Sequence, residues 1–526
     1  MRKLTFFLPL LPLLFSCSQE LSPEPEAVPF RQGEDVLYHE MIQLGDKLDD
    51  PYTVANMQDA LTKVYPTKAG RVALSATDYY VRFLPQDDDQ LQQLKDKDLY
   101  LMDHPMDYSI LREGDYYQDP DVPAESITWQ YTVVPVDFDF PEDIRYEILD
   151  DCFIAEHLTE SKAVDGVDWA AVEREAYLLS GNGNLLDIPT KGASAIPQGR
   201  ITVEDADYCD GKPIGVSGVQ VACNIFVKIA TAYTDRDGYY TMSKSFSGKP
   251  RYRVVFKNEK GFNIGFNFII IPASVFTLGK GGPEGLDYHV TQEADPQMFL
   301  RCAVNNAAYE YFSRCNREDL DVTPPPSDLR FWIFKGLTSS SACMLHHGAL
   351  LEQSLLKKYL GDYLSLVELF LPDITIGTRT LNYDGIYKAV VHELSHASHF
   401  AKVGNDFWTP YIKYVIQSFV LEGGQPYGSG TKEGAGYCEV GEMWAYFMEE
   451  SLYKERYGGT MRSFDSDFWF QPDIFTYLYE RGLSRGQLFR SLKADVTGID
   501  DLRESLVELY PRMEEVIDQT FTTYGK

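Results

Sequence analysis

The chain is poor in positive charge and in long apolar stretches. Its 526 residues hold 48 Lys and Arg against 79 Asp and Glu, a formal net charge of −31 at pH 7. Such a surface repels phosphate backbones and anionic headgroups, which excludes nucleic acid as a partner and electrostatic adsorption to a lipid surface. Beyond the first 15 residues, no run approaches the 18 apolar residues that read as a membrane-spanning helix.

Cysteine is also scarce. Seven cysteines follow Cys17, an odd number, so at least one thiol stays unpaired, and no Cys-x-x-Cys pair suggests a metal knuckle. Cys209 with Cys223 and Cys302 with Cys315 are candidate disulfides. We therefore expect hydrophobic cores, rather than cross-links, to supply the stability.

A leader occupies the amino terminus. Arg2 and Lys3 precede an apolar run that ends at Leu14-Phe15-Ser16-Cys17. This pattern resembles the signal peptide and lipobox of bacterial lipoproteins, and Ser18-Gln19-Glu20 resembles the acidic export tags of surface lipoproteins in Bacteroidetes. The resemblance implies lipidation of Cys17 and anchoring in the cell envelope, in the outer membrane on its periplasmic or surface face. An ordinary secretory signal is the alternative.

The most informative stretch is His392-Glu393-Leu394-Ser395-His396. Positions i and i+4 share one face of a helix, so both imidazoles can reach one metal ion. Glu393 lies about 100° round the helix, where it can hold a water. The surrounding residues 385–403 have the pattern of one amphipathic helix that ends at Gly404.

A zinc site needs a third protein ligand, and spacing ranks the candidates. His399 lies about 10 Å along the axis from His392, too far to share one ion, and reads as a polar residue of the same helix. Glu439 and Glu442 lie on a second helix, which follows the Gly-rich loop at 423–430. A solvated acidic helix face is the alternative for both.

These two helices together resemble the gluzincin group of zinc metallopeptidases, in which a helix with HExxH precedes a helix with Glu-x-x-Ala. Glu442-Met443-Trp444-Ala445 matches the second motif, 46 residues after His396 (442 − 396). The resemblance implies Zn²⁺ held by His392, His396 and Glu442. Glu439 is then either the ligand in place of Glu442 or an acceptor for a ligand histidine.

The expected chemistry is hydrolysis of a peptide bond. Two imidazoles and one carboxylate leave a fourth position for water, whose pKa zinc lowers to about 7. Glu393 can then take the proton of that water as it attacks the carbonyl. Gluzincins often supply an oxyanion donor near the third ligand, and Tyr437 and Tyr427 are the candidates here, with ordinary packing as the alternative.

Upstream of this motif, the order of elements fits the same core. Residues 328–334 read as a strand, 349–360 as a helix, and 371–377 as the edge strand beside the cleft, where an extended substrate adds as a further strand. His346 and His347 line a substrate subsite or form an exposed loop pair.

The middle of the chain has a different pattern. Residues 198–270 alternate in short strands joined by Gly and Asp turns, which predicts a β-sandwich. The order of Gly199-Arg200-Ile201-Thr202 and Thr234-Asp235-Arg236-Asp237-Gly238-Tyr239-Tyr240 resembles the carboxypeptidase-regulatory-like, transthyretin-type fold. We expect this module to act as a spacer or to present substrate.

The sequence thus predicts a multidomain α+β protein. Its parts are the leader at 1–17, a linker at 18–33, an amino-terminal α+β domain at 34–190 without an assigned role, the transthyretin-like sandwich at 198–270, and a mostly helical zincin-like domain at 285–526. We expect a lipid-anchored, extracytoplasmic zinc metallopeptidase that acts on a polypeptide or glycopeptide. The alternatives are a surface binding or adhesion lipoprotein whose zincin domain lacks turnover, and a zinc amidase acting on cell-wall peptide.

Overall fold

A computed structural model of the chain gives the fold. It describes residues 41–66, 72–97, 99–114, 116–123, 126–158, 166–186, 194–265, 274–334, 339–348, 372–379, 382–421, 427–464 and 467–526. The leader, Cys17, the linker and the predicted helix at 349–360 lie outside these ranges. Within them, no helix has the length and apolar character to cross a bilayer.

Helices and strands are mixed throughout the described residues, in keeping with the expected α+β class. The strands are β1 (Gln43–Lys47), β2 (Asp78–Leu84), β3 (Tyr108–Arg112), β4 (Gln130–Pro135), β5 (Arg145–Cys152), β6 (Gln198–Val203), β7 (Ile214–Gly215), β8 (Val219–Ile225), β9 (Lys228–Tyr233), β10 (Tyr239–Thr241), β11 (Arg251–Asn258), β12 (Asn263–Gly265), β13 (Val275–Lys280), β14 (Tyr288–Val290), β15 (Arg330–Phe334), β16 (Ser341–Ala342) and β17 (Ile374–Gly377). The helices are α1 (Val54–Val64), α2 (Asp88–Asp96), α3 (Trp169–Leu179), α4 (Pro296–Arg314), α5 (Tyr383–Val403), α6 (Asn405–Leu421), α7 (Ala435–Tyr457), α8 (Asp473–Glu480), α9 (Arg485–Ser491), α10 (Ile499–Leu509) and α11 (Glu514–Thr523).

The amino-terminal part combines a small sheet with two packed helices. Its sheet has the order β4-β2-β5, and β1 pairs with β3 beside it. The helices α1 and α3 bury Met57, Leu61 and Val172 between them. These apolar residues recur at helical spacing, so each helix has one face that must be covered.

One long sheet runs through the middle of the molecule, in the order β16-β17-β15-β12-β11-β8-β9. β12 pairs with β15 in parallel, with Asn263 opposite Arg330 and Gly265 opposite Trp332. This pairing joins strands of the predicted sandwich to strands of the predicted catalytic domain. A second, smaller sheet has the order β10-β6-β14, with β7 paired to β6.

The strand predicted at the edge of this sheet is not the edge. β17 is flanked by β16, which pairs with it in antiparallel fashion through Ser341 opposite Thr375 and Ala342 opposite Ile374. β16 is the last strand on this side in the part of the chain that the structure describes. A strand of two residues carries no alternation of polarity, so the sequence pattern could not reveal it.

The long helices α5 and α7 pack against each other beside this edge, and α4 packs against α5. α5 spans the predicted stretch and ends as expected, because Gly404 has a φ of 75°, a conformation that glycine adopts without strain. Trp408 of α6 and Trp444 of α7 are among the largest fully buried side chains of the core. The helices α8 to α11 pack with one another and against α7.

The candidate disulfides are wrong, because all seven described cysteines are free thiols. Cys302 lies in α4 and Cys315 at the carboxyl end of that helix. Thirteen residues of helix separate two α-carbons by about 20 Å, far beyond the separation of about 5.5–6 Å in a disulfide. Cys223 is buried in β8, whereas Cys209 is exposed.

Candidate metal centre

Two helices bring three metal-ligating side chains together. His392 and His396 lie one turn apart on α5, and Glu442 reaches them from α7. The Nε2 atoms of the two histidines are 3.2 Å apart, and Glu442 Oε2 is 3.3 Å from His392 Nε2 and 3.4 Å from His396 Nε2. All three side chains are fully buried. The three atoms form a nearly equilateral triangle.

This triangle has the dimensions of a tetrahedral metal site. A zinc ion with bonds of about 2.0–2.1 Å holds its ligand atoms about 3.3–3.4 Å apart. Glu442 Oε2 is buried without a hydrogen-bond donor among the described residues, so it is available to an ion. Two imidazoles with one carboxylate are a donor set that suits zinc.

Further side chains hold two of these candidate ligands in place. Glu449 Oε2 lies 3.0 Å from His392 Nδ1, a contact that directs the other ring nitrogen toward the triangle. The Tyr411 hydroxyl of α6 donates to Glu442 Oε1 at 2.6 Å, which leaves Oε2 facing the histidines. His396 packs its ring against Trp408 and Tyr411 instead.

Glu393 lies beside the triangle but is not part of it. Its side chain is fully buried, and neither oxygen has a hydrogen-bond partner within the described ranges. Burial raises the pKa of this carboxyl to about 8; the negative charges of Glu442 and Glu449 add to the rise, while the charge of His392 opposes it. A carboxyl with such a pKa can accept and release a proton near neutral pH.

The two histidines respond differently to their surroundings. Burial disfavours the charged form of both rings. At His392, Glu442 and Glu449 outweigh burial and raise the pKa, whereas at His396 burial prevails and lowers the pKa. Because a metal binds only the neutral imidazole, His392 would have to give up its proton to hold an ion.

The other acidic candidate lies outside the group. Glu439 Oε1 accepts a hydrogen bond from Lys526 Nζ at 2.6 Å, so this carboxylate pairs with the last residue of the chain. The carboxylate within hydrogen-bond distance of His392 Nδ1 is that of Glu449. The sequence left open whether Glu439 or Glu442 joins the two histidines, and the structure brings Glu442 to them.

The candidate tyrosines have different neighbours. Tyr437 packs against Phe407, with ring centroids 5.0 Å apart. Tyr427 exchanges a hydrogen bond of 2.8 Å with Tyr446, whose ring lies 4.6 Å from that of His392. Of these three tyrosines, Tyr446 is thus the one whose ring contacts His392.

The remaining histidines also differ from expectation. His399 is fully buried against Phe407, and neither ring nitrogen has a partner among the described residues, so burial lowers its pKa well below the usual value. His347 is not a loose surface residue, because its Nδ1 lies 3.0 Å from Asp373 Oδ1 and its Nε2 lies 2.9 Å from the Ser327 carbonyl oxygen.

Several residues around this group were not evident from the sequence. Tyr446 and Glu449 follow Glu442 by four and seven residues, spacings that keep them on one helix face. Extending the motif by this rule would have found them. Tyr411 carries no such signal, since only the packing of α6 brings it here.

Comparisons with known proteins add little to this description. No protein-family model matches the chain, and no curated protein does. A solved structure of (S)-allantoin synthase is similar at 16% sequence identity, with a TM-score of 0.12. That match covers 23% of this chain and 46% of the other, so the chain spans less than half of that protein's length.

Proposed function

We propose that the protein is a zinc-dependent metallopeptidase. One observation carries the proposal: three buried ligand atoms at tetrahedral spacing lie beside Glu393, whose two oxygens have no partner among the described residues. His392, His396 and Glu442 would hold the ion, which when bound lowers the pKa of water and polarises a carbonyl. The likeness of the motif to gluzincins supports the same reading.

The protein's own groups divide the remaining work. Glu393 would take a proton from the attacking water and pass it to the leaving amine. Glu449 and Tyr411 keep His392 and Glu442 in orientation, which spares the site reorganisation during the reaction. The buried surroundings exclude bulk water and strengthen these interactions.

The same burial favours a second candidate function. No atom of the ligand side chains or of Glu393 is appreciably exposed, and a polypeptide must reach these groups to be cleaved. A binding or adhesion protein that keeps the ion for stability needs no such access. The two functions differ in turnover and share the metal.

Glu393→Gln separates these candidates. The variant keeps the size and shape of the side chain and all three ligands but lacks the base, so we expect zinc content and folding to persist. Cleavage of a mixed peptide library should fall by about two orders of magnitude or more. The measurements are mass spectrometry of the digested library and elemental analysis of the same samples.

Glu439→Gln is the matched control, because it makes the same chemical change on α7 at a residue that pairs with Lys526. It lies outside the cluster of His392, His396, Glu442 and Glu393, which we call the metal group. It should cleave the library as the wild type does. Equal cleavage by wild type and Glu393→Gln would overturn the assignment of the base. A wild type that binds zinc but cleaves no peptide, protein or cell-wall fragment would favour the binding protein; cleavage confined to cell-wall fragments would favour the amidase.

The net charge of the chain bears on the class of substrate, and its amino-terminal residues bear on its location. The net charge of −31 fits a neutral or cationic polypeptide or glycopeptide better than an acidic one. The lipobox resemblance supports a lipid anchor at Cys17 in the cell envelope. Cys17→Ala should then appear in the soluble fraction without an acyl label, and continued membrane fractionation of the variant would mean that another feature anchors the chain.

A further inference from the structure

A cavity of about 230 Å³ lies between the amino-terminal part and the long sheet, away from the metal group. One wall is a face of β11 and its neighbouring strands; the other face of β11 buries Tyr252, Val254 and Phe256 in the core. The opposite wall comes from α2 and the segment 99–104. The volume is below the range of about 300–1,000 Å³ for drug-sized ligands, so it fits a small molecule.

Positive charge is concentrated on the β11 wall. Arg251, Arg253 and Lys257 alternate along the strand, so all three side chains lie on the cavity side. Lys95 adds a fourth cation from the opposite wall. Four cations thus line one small cavity, and the acids of the same lining are Asp96, Asp103, Glu113 and Asp328.

Arg253 is the central residue of this row. Only 4% of its surface is exposed, and its Nη1 donates to Asn224 Oδ1 at 2.5 Å. The hydroxyl of Tyr100 is a second polar group beside it. Both neighbours are neutral, and no carboxylate within the described ranges pairs with this guanidinium. A buried cation with neutral partners is costly unless an anion joins it.

The acids that line the cavity are engaged or exposed. Glu113 pairs with Arg251 from an exposed position, and Asp103 accepts from the Tyr117 backbone N–H at 2.6 Å and contacts His104 Nδ1 at 2.7 Å. Asp96 and Asp328 are exposed side chains. Water solvates the exposed carboxylates, so they neutralise the inner wall only weakly.

The pKa values of two of these cations are lowered because positive charge is buried here. Burial lowers the pKa of Arg251 to about 10, and neighbouring Arg253 adds to the effect. Burial also lowers the pKa of Lys95 to about 8, with Arg330 and Lys257 acting in the same direction and Asp88 opposing them. Arg251 Nε has no hydrogen-bond acceptor in the part of the chain that the structure describes.

We propose that this cavity binds a small anionic ligand. Arg253 and Arg251 hold its negatively charged group, which is a carboxylate or a phosphate. The planar guanidinium fork matches both anions and donates paired hydrogen bonds to them. Met102, Val255 and Val275 line the same cavity and receive the uncharged part of the ligand. β11 and β16 are four strand spacings apart, about 19 Å, so this site is independent of the proposed metal chemistry.

The test is calorimetric titration of the full chain at constant ionic strength. The probes are inorganic phosphate, benzoate as a carboxylate with an apolar body, and benzyl alcohol as its uncharged counterpart. We expect saturable binding of phosphate, of benzoate or of both, and none of benzyl alcohol. Arg253→Met should weaken binding by about ten- to a hundred-fold, as expected for loss of charge-assisted hydrogen bonds.

Arg236→Gln is the control for net charge, because Arg236 is an exposed turn residue outside the cavity. It should bind the probes as the wild type does. If Arg253→Met fails to fold, the double variant Lys95→Met with Lys257→Met decides, since both side chains are only partly buried.

Absence of saturable binding to the wild type would overturn the proposal, and so would equal binding by wild type and the cavity variants. The cavity would then be packing space between two layers. Phosphate binding without benzoate binding assigns a phosphate ligand, and the reverse assigns a carboxylate. Zinc content is measured on the same samples, so failure of this site and failure of the metal site are distinguishable.

Discussion

Two clusters of buried charge in this molecule are built in opposite ways. In the first, Lys228 is 1% exposed, and its Nζ contacts Glu156 Oε1 at 2.7 Å and Glu173 Oε2 at 2.8 Å. Tyr52 donates to the remaining oxygen of Glu173 at 2.7 Å. In the metal group, by contrast, both oxygens of Glu393 lack a partner among the described residues.

The difference separates a structural role from a chemical one. A buried polar atom without a partner costs about 1–3 kcal/mol, so a fold keeps several of them together only where something else compensates. A bound ion and its water would compensate in the metal group. The Lys228 cluster is complete by itself, and it joins α3 of the amino-terminal part to β9 of the long sheet.

Removing a ligand should produce the largest effect. We expect about one zinc per chain in the wild type and none in His392→Ala or His396→Ala, since two ligands do not retain the ion. Glu442→Ala should also lower zinc affinity, and Glu439→Ala should lower it less, because Glu439 pairs with Lys526. Elemental analysis after incubation with zinc and dialysis measures the zinc content. A wild type that retains no stoichiometric zinc after this treatment would contradict the assignment.

Breaking the Lys228 cluster should lower the stability of the fold and leave the zinc content unchanged. Lys228→Met leaves Glu173 buried without its cation, which we expect to destabilise the protein by about 3–5 kcal/mol. Lys260→Met is the control, because Lys260 contacts Glu259 and the Tyr309 ring from a partly exposed position.

Urea unfolding measures the stability of both variants, and elemental analysis measures their zinc content. Loss of zinc in Lys228→Met at unchanged stability would mean that the two clusters are coupled. The comparison between a structural and a chemical cluster would then fail.

Local periodicity explains what the sequence could predict. The i, i+4 spacing of His392 and His396 and the stop at Gly404 are properties of one helix, and α5 has both. A motif match grouped Glu442 with these histidines, and the structure places its carboxylate beside both of them. These features depend on a few neighbouring residues, and short spacings encode them well.

Contacts between distant segments were less predictable. The pairing of β12 with β15 joins residues 263–265 to residues 330–332, and no pattern within either strand encodes that partner. The same holds for Tyr411, which reaches Glu442 from another helix. The cations on β11 alternate visibly in the sequence, but only the fold shows that a cavity faces them.

The smallest expected effect tests the carboxylate behind the first ligand. Glu449 is 12% exposed and contacts His392 Nδ1 at 3.0 Å, so Glu449→Gln replaces a charged partner by a neutral one of the same shape. Loss of such a partner lowers metal affinity by about 10- to 100-fold, because the ring is held less firmly and its metal-binding nitrogen becomes less basic. Competition with a chromophoric chelator measures the affinity, with Glu439→Gln as a matched variant on the same helix. If both variants bind zinc as tightly as the wild type, Glu449 packs beside the histidine without tuning it; if both bind equally weakly, the effect comes from lost negative charge on α7 and not from the contact with His392.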